Sequence, residues 1–245
     1  MDMKILVRHI LLGTLLAFLF GGCAVYDRFL GEEEETAPEQ IMSEGLEKLG
    51  SGNYEAATDA FQKIKDRYPY SKFAITAELK MADSLYETES FEEAYDAYDE
   101  FEKLHPKNEN IPYVIYQKGM CHFRQLKTFD RDQSQTLLAK EEFERLVKRF
   151  PKEDYANRAR KNIRTCLIYL AEYELYVAHY YFKMKNYRAA MARYAYIIEN
   201  YPDMGQYHEA LGYIRKCKEA ISLESRAEEG KKNRITSILK RLVPF

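Results

Sequence analysis

The side chains able to do covalent or metal chemistry are few and scattered. Cys121, Cys166 and Cys217 lie far apart, each inside a helical pattern. No CxxC pair or Cys/His cluster has the spacing of metal ligands, so these thiols read as small buried hydrophobes, not a disulfide framework. His105, His122, His179 and His208 have no Ser, Cys or carboxylate constellation in view, and the many Asp and Glu residues single out no catalytic pair. The expectation is a non-enzymatic chain with no catalytic residue, no metal site and no cofactor. Cys23 is different. It ends an apolar run and follows Phe20-Gly21-Gly22. A thiol behind small residues is accessible both to acylation at sulfur and to cleavage of the chain just before it. The product would carry a thioether-linked diacylglycerol and an acylated amino group on Cys23.

The elements around Cys23 suit that chemistry. Lys4 and Arg8 form a positive start, and the apolar run Ile10–Phe20 follows. A helix needs roughly 20 apolar residues to cross a bilayer core, so this run is too short for a permanent span and reads as a signal peptide, residues 1–22. The stretch before Cys23 resembles the lipobox of bacterial lipoproteins, with Phe20 where Leu is usual. Two or more acyl chains anchor stably where one does not. Ala24 follows in place of the Asp that resembles an inner-membrane retention signal. The expected location is the outer membrane, lipid-anchored on its periplasmic side.

Residues 23–37 hold Gly31 and the run Glu32–Glu35, with few apolar side chains, and read as a flexible tether. Fifteen such residues reach about 20 Å r.m.s. and roughly 50 Å at full stretch. The whole chain carries 37 basic and 39 acidic side chains, net −2. That balance supplies no basic footprint for nucleic acid.

Beyond Pro38 the pattern is helical and repeats. Four segments end in Tyr68-Pro69, His105-Pro106, Phe150-Pro151 and Tyr201-Pro202. Twelve residues before each Pro stand Ala57, Ala94, Ala139 and Ala190; eight before, Phe61, Tyr98, Phe143 and Tyr194; five before, Ile64, Phe101, Leu146 and Ile197. Small, large, apolar and Pro at fixed offsets describe the second helix of a tetratricopeptide repeat. Gly45, Ala82, Gly119 and Ala178 supply the small contact position on the first helices. The fold class is therefore all-α, a tetratricopeptide-type helical repeat solenoid of about five helix pairs over 38–223. The expected repeats are 38–69, 71–106, 110–151, 155–202 and an atypical last one from 206.

Two repeats are longer than the rest. In the third, the extra length falls around Phe129-Asp130-Arg131-Asp132-Gln133-Ser134, which reads as an enlarged loop. In the fourth it predicts one long helix over Tyr155–Lys185. Ala171, Leu175, Ala178 and Phe182 fall on one face of that helix; Tyr169, Tyr173, Tyr176 and Tyr180 fall on the opposite one. The tyrosine stripe is either a second packing surface or a docking face, since Tyr is favoured at interfaces. Residues 224–245 read as a charged tail with a short amphipathic helix over Ile235–Leu242.

The tract Asp130-Arg131-Asp132-Gln133-Ser134-Gln135-Thr136, with Phe143 and Arg149-Phe150-Pro151, resembles the BamD family of outer-membrane assembly lipoproteins. So does Leu170-Ala171-Glu172-Tyr173-Glu174-Leu175-Tyr176-Val177-Ala178 with Tyr180-Tyr181-Phe182-Lys183. The likeness covers about Pro38–Leu223 together with the lipobox. It implies a scaffold of the β-barrel assembly machine that binds the POTRA domains of the BamA-type barrel subunit and unfolded outer-membrane proteins. The same resemblance implies substrate recognition by the amino-terminal repeats and barrel-subunit contact by the carboxy-terminal ones, with Arg193 at the position of a contributing Arg. Taken from its pattern alone, Arg193 replaces Ala60 of the first repeat and is either a solvated charge or a contact. The candidate partner-binding residues are thus Arg193, Tyr173, Tyr176, Tyr180, Asp130, Arg131 and Asp132. The alternative is another periplasmic repeat lipoprotein, coordinating cell-wall synthesis or envelope constriction.

Overall fold

The computed structural model describes residues 37–202 and 204–242. The signal peptide, Cys23 and all of the tether except Ala37 lie outside the described residues. Nine helices occur among the described residues, with no strand. They are α1 (Pro38–Gly50), α2 (Tyr54–Arg67), α3 (Ala74–Glu87), α4 (Phe91–Leu104), α5 (Ile111–Phe123), α6 (Ser134–Arg149), α7 (Asp154–Lys183), α8 (Tyr187–Asn200) and α9 (Tyr207–Leu242). The chain divides into two compact units, one ending at Ala77 and one beginning at Glu78.

In the first unit α1 packs on α2. In the second, α4 packs on α5, and α6, α7, α8 and α9 follow with each helix against the next. The reason lies in the repeat positions. All twelve small, large and apolar residues read from the spacing, from Ala57, Phe61 and Ile64 to Ala190, Tyr194 and Ile197, are at most 1% exposed. At roughly 1.5–3 kcal/mol for each large apolar side chain removed from water, these residues carry much of the packing energy.

The ends of the second helices share one geometry. Tyr68, His105, Phe150 and Tyr201 have φ between −124° and −133° and ψ between 48° and 60°. Each N–H donates to the carbonyl four residues back, on Ile64, Phe101, Leu146 and Ile197. The following Pro disfavours the α region for the residue before it, so each helix stops there. The starts are alike too. Asn53 and Asn186 accept from the Ala56 and Ala189 amides at 3.4 and 3.3 Å, capping α2 and α8. The turns before α2, α4 and α8 each need a left-handed residue: Gly52 at φ 78°, Glu89 at 60° and Lys185 at 59°.

The long helix expected over Tyr155–Lys185 is α7, at Asp154–Lys183. Ala171 and Ala178 on its apolar face are fully buried. The carboxy-terminal region differs from expectation. In place of a tail with a separate short helix, α9 runs unbroken for 36 residues from Tyr207 to Leu242. Glu, Arg, Ala, Lys and Leu after Leu223 are good helix formers and carry it through; Gly230 is the costly residue, at about 1 kcal/mol. Cys121, Cys166 and Cys217 are free and buried, and burial pushes the Cys121 and Cys166 thiols up to about 12. At neutral pH they are protonated core residues.

Candidate partner-binding site

The fourth helix pair, α7 and α8, positions Arg193. Arg193 Nη1 donates to Glu174 Oε1 and Oε2 of α7 at 3.1 and 2.9 Å. Glu174 is largely buried, at 12% side-chain exposure, whereas Arg193 keeps 45%. The hydrogen bond and charge of Glu174 hold the guanidinium's pKa above its ordinary value, with lesser contributions from Tyr181 and Tyr173. Arg193 is therefore oriented by a fixed carboxylate and still has donor capacity facing solvent.

The tyrosines share α7 with Glu174. Tyr176 and Tyr180 are exposed, and Tyr173 is half-buried. Tyr176 meets Phe129 of the α5–α6 loop edge to face, with ring centroids 6.1 Å apart, and Phe129 is itself exposed. Tyr180 stacks edge to face on Tyr181 at 5.9 Å. An open aromatic patch results, joining the loop to the middle of α7, with Met184 exposed beyond it. Such rings offer large rigid contact area at low entropic cost.

Asp130, Arg131 and Asp132 are all exposed in that loop. Asp130 Oδ1 accepts from Thr128 Oγ1 at 2.6 Å, and this bond lowers its pKa. Asp132 accepts from Ser134 Oγ at 2.9 Å and from the Ser134 amide at 3.4 Å, at the first residue of α6. The loop is fastened from within by Gln133, which spacing did not single out. Gln133 is buried, donates through Nε2 to the carbonyls of Thr128 and Arg131, both at 3.0 Å, and accepts from buried Thr136 at 2.8 Å. The two Asp carboxylates thus have local bonding roles. Arg131 is the residue of the tract whose side chain is left to the solvent side.

A second cluster escaped sequence reasoning. Lys118 of α5 is only 3% exposed, yet charged. Its Nζ donates to Asp99 and to Glu102 of α4, lies 3.6 Å from Glu142 of α6, and sits 4.9 Å from the Tyr95 ring centroid. Arg145 closes the network with a bidentate pair to Glu102, at 2.7 and 2.9 Å, and a 2.6 Å bond to Glu142. Arg149 adds a 2.8 Å bond to Glu102. Burial alone would raise the Asp99 and Glu102 carboxyls, but hydrogen bonds from Lys103 and Lys118 to the first, and from Arg145 to the second, hold both below the ordinary range. The signal in the sequence was a single cation, Lys118, inside the otherwise uncharged α5. Beside the network lies an open cleft lined by Tyr95, His122, Leu138, Glu141, Glu142 and Arg145. Among the described residues no group of His, Cys, Asp and Glu could hold a metal ion.

Comparison with known proteins places these features. The family model described as outer membrane lipoprotein (YfiO) matches residues 34–233. Curated relatives share the name outer membrane protein assembly factor BamD. The Rickettsia prowazekii (strain Madrid E) protein is 31% identical over 189 residues, covering 77% of this chain and 75% of its own. The Neisseria meningitidis serogroup B protein is 28% identical over 221 residues (85% and 83%), and the Vibrio cholerae protein 25% over 229 (89% and 94%). Among solved structures, a tetratricopeptide protein of Thermus thermophilus aligns with TM-score 0.40 at 16% identity, covering 76% of this chain and 99% of its own. The matched segment holds every repeat position, the α5–α6 loop and the α7–α8 pair, and the chain belongs to the outer membrane lipoprotein family whose curated members are BamD assembly factors.

Proposed function

We propose that the chain is a non-catalytic scaffold in outer-membrane protein assembly, held on the periplasmic face of the outer membrane by acyl chains on Cys23. The observation that carries this reading is the family match over 34–233, spanning the full repeat array. The α7–α8 face supplies the docking surface for a BamA-type barrel subunit through its POTRA domains: Arg193 as an oriented cation, Tyr173, Tyr176 and Tyr180 as aromatic contacts, and the Asp130–Asp132 loop at its edge. Unfolded outer-membrane proteins meet the amino-terminal repeats. Among the described residues no helix is long and apolar enough to cross a membrane. Two or more acyl chains on Cys23 suffice for stable attachment.

Affinity purification of the full acylated chain from membranes tests this. The barrel subunit should co-purify, and a photo-crosslinker in place of Tyr176 should capture it. Recovery of cell-wall synthases in its place would overturn the reading. Mass spectrometry should find an acylated, diacylglycerol-bearing Cys23 on the native chain and none on Cys23→Ser; a native chain without these groups would rule out the acyl anchor.

A further inference from the structure

Among the described residues, the outer part of α9 buries no side chain in the repeat array. Among the described side chains of α9, Ala210 and Cys217 are the buried ones, and they pack into the α7–α8–α9 core. Residues 222–239 are exposed without exception. A helix from Ser222 to Leu242 extends roughly 30 Å at 1.5 Å per residue. Ile235, Ile238 and Leu239 stand along it 59%, 48% and 57% exposed. Their i, i+3, i+4 spacing puts them on one stripe, and Asn233, Thr236 and Ser237 fall away from it.

The charge distribution says what covers that stripe. Residues 219–229 include Glu219, Glu224, Glu228 and Glu229, whereas residues 231–241 include Lys231, Lys232, Arg234, Lys240 and Arg241 and no carboxylate. The charge changes sign at Gly230, in a chain whose overall net charge is only −2. Lys232 and Arg234 fall on either side of the apolar stripe, and Lys231 lies one turn before Ile235 on it. An apolar stripe bordered by cations, with small hydroxyl and amide side chains behind, is the pattern of a helix lying in a bilayer interface. The apolar side chains enter the acyl boundary and the cations meet headgroup phosphates.

We infer that residues 231–242 form an interfacial arm that lays the Ile235–Leu239 stripe on an anionic phospholipid surface. It is a second membrane contact at the opposite end of the chain from Cys23, resting on the membrane attachment proposed above. A tether alone leaves the second unit free to reorient; a continuous 36-residue helix of that unit, fixed at its far end, would not. The arm therefore sets the inclination of α8, against which α9 packs, relative to the membrane plane.

The test uses the mature chain with Cys23→Ser, so that no acyl chain contributes. The protein contains no Trp, so Ile238→Trp introduces a lone indole reporter. Vesicles of phosphatidylethanolamine and phosphatidylglycerol should shift its emission to the blue and co-float the protein; phosphatidylcholine vesicles should do neither, and high salt should reverse the effect. Joint replacement Lys231→Glu, Lys232→Glu and Arg234→Glu should lower partitioning at least about a hundredfold. Ile235→Asn with Leu239→Asn should abolish the blue shift while circular dichroism stays unchanged. Absence of any shift with the anionic vesicles, or equal binding to phosphatidylcholine, overturns the proposal. So does loss of the barrel subunit from a pull-down of the charge-reversed chain without change in vesicle binding, because the arm would then be a protein contact. Failure of the acyl anchor would show separately, as a native chain whose Cys23 carries no acyl group by mass spectrometry.

Discussion

Gly119 of α5 faces the Phe143 ring of α6 so closely that a Cβ on Gly119 would lie 2.6 Å from Phe143 Cε1. Gly45 stands in the same relation to Phe61, again at 2.6 Å. Where the first-helix position is Ala instead, the opposing aromatic is Tyr, and its hydroxyl is bonded by the residue after the Ala. Tyr98 donates to Asp83, next to Ala82, at 2.8 Å, and Tyr194 bonds His179, next to Ala178, at 2.7 Å. The array thus uses two joints, Gly with Phe and Ala with Tyr. In the first the ring takes the space of a methyl group, and in the second a polar partner one residue on secures the hydroxyl.

This relation predicts the effect of one methyl group. Phe143 is fully buried and has no room to yield, so Gly119→Ala should destabilise the protein by about 1–3 kcal/mol through overpacking. Gly212, also in a helix, has nothing within 4 Å of the position a methyl group would take. Gly212→Ala should therefore stabilise by about 0.5–1 kcal/mol through helix propensity alone. Urea unfolding of the two variants should move the midpoint in opposite directions. A stabilised Gly119→Ala would contradict the close approach.

The charge network gives a pH-dependent prediction. Lys118→Met removes a buried cation from among Asp99, Glu102 and Glu142, and should cost about 3 kcal/mol at neutral pH, the lower end for breaking a buried pair because Arg145 and Arg149 remain. The Asp99 and Glu102 carboxyls lie below their ordinary values in the folded state. Their contribution is therefore present above the unfolded pKa of about 4 and is lost as pH falls through the lower folded value. Burial works to lower the Lys118 pKa, but bonding to Asp99 and the charge of Glu142 outweigh it and leave the pKa raised. The contribution of Lys118 itself therefore disappears only as pH rises through that higher value. The stability gap between wild type and Lys118→Met should thus be wide at pH 7 and shrink as pH falls below the unfolded value of about 4. A gap independent of pH would show that Lys118 acts by packing alone.

Backbone strain supplies a third prediction. Lys185 and Glu89 occupy left-handed conformations, at φ 59° and 60°, where the equivalent turn of the first repeat has Gly52. A left-handed residue other than Gly costs roughly 1–2 kcal/mol, against about 0.5–1 kcal/mol of added chain entropy for Gly. Lys185→Gly should therefore raise stability by up to about 1 kcal/mol, and Lys185→Ala should leave it unchanged or lower. Differential scanning calorimetry of both variants distinguishes them; a Gly variant less stable than the Ala variant would refute the strain.

The contrast between what spacing disclosed and what it hid has a physical basis. Ala57, Phe61, Ile64 and their counterparts were legible because every repeat must solve the same packing problem at the same offsets. The length of α7 was legible because Ala178 stands 27 residues after Pro151 where Ala82 stands 13 after Pro69, and the fourteen extra come to about four whole turns that keep the apolar face in phase. Lys118 and its partners were not. Arg145 meets Glu102 across 43 residues, and each of these residues, taken singly, looks like a solvated surface charge. The Asp130–Asp132 tract was conspicuous as a motif, but Asp130 and Asp132 bond within their own loop, a role that depends on where Thr128 and Ser134 point. The continuity of α9 was obscured because its outer half lacks a buried stripe, the feature by which a helix is most readily recognised.

Arg193 separates two explanations of the α7–α8 face. If Arg193 matters only by pairing with Glu174, then Glu174→Gln and Arg193→Ala should weaken barrel-subunit binding alike. If Arg193 contacts the partner, Arg193→Ala should weaken binding by roughly tenfold to a hundredfold, as for an interface Arg anchor, while Glu174→Gln should weaken it only a few-fold. The second outcome is expected, because 45% of the Arg193 side chain remains exposed with Glu174 bonded to Nη1 alone. Thermal stability should fall by about 1 kcal/mol or somewhat more in Arg193→Ala, since the guanidinium is 45% exposed but Glu174, at 12%, loses its cation. Arg193→Lys gives the final discrimination. A lysine could keep the charge but not the planar donor fork, so partial recovery of affinity with Lys would assign the contact to charge, and no recovery would assign it to guanidinium geometry.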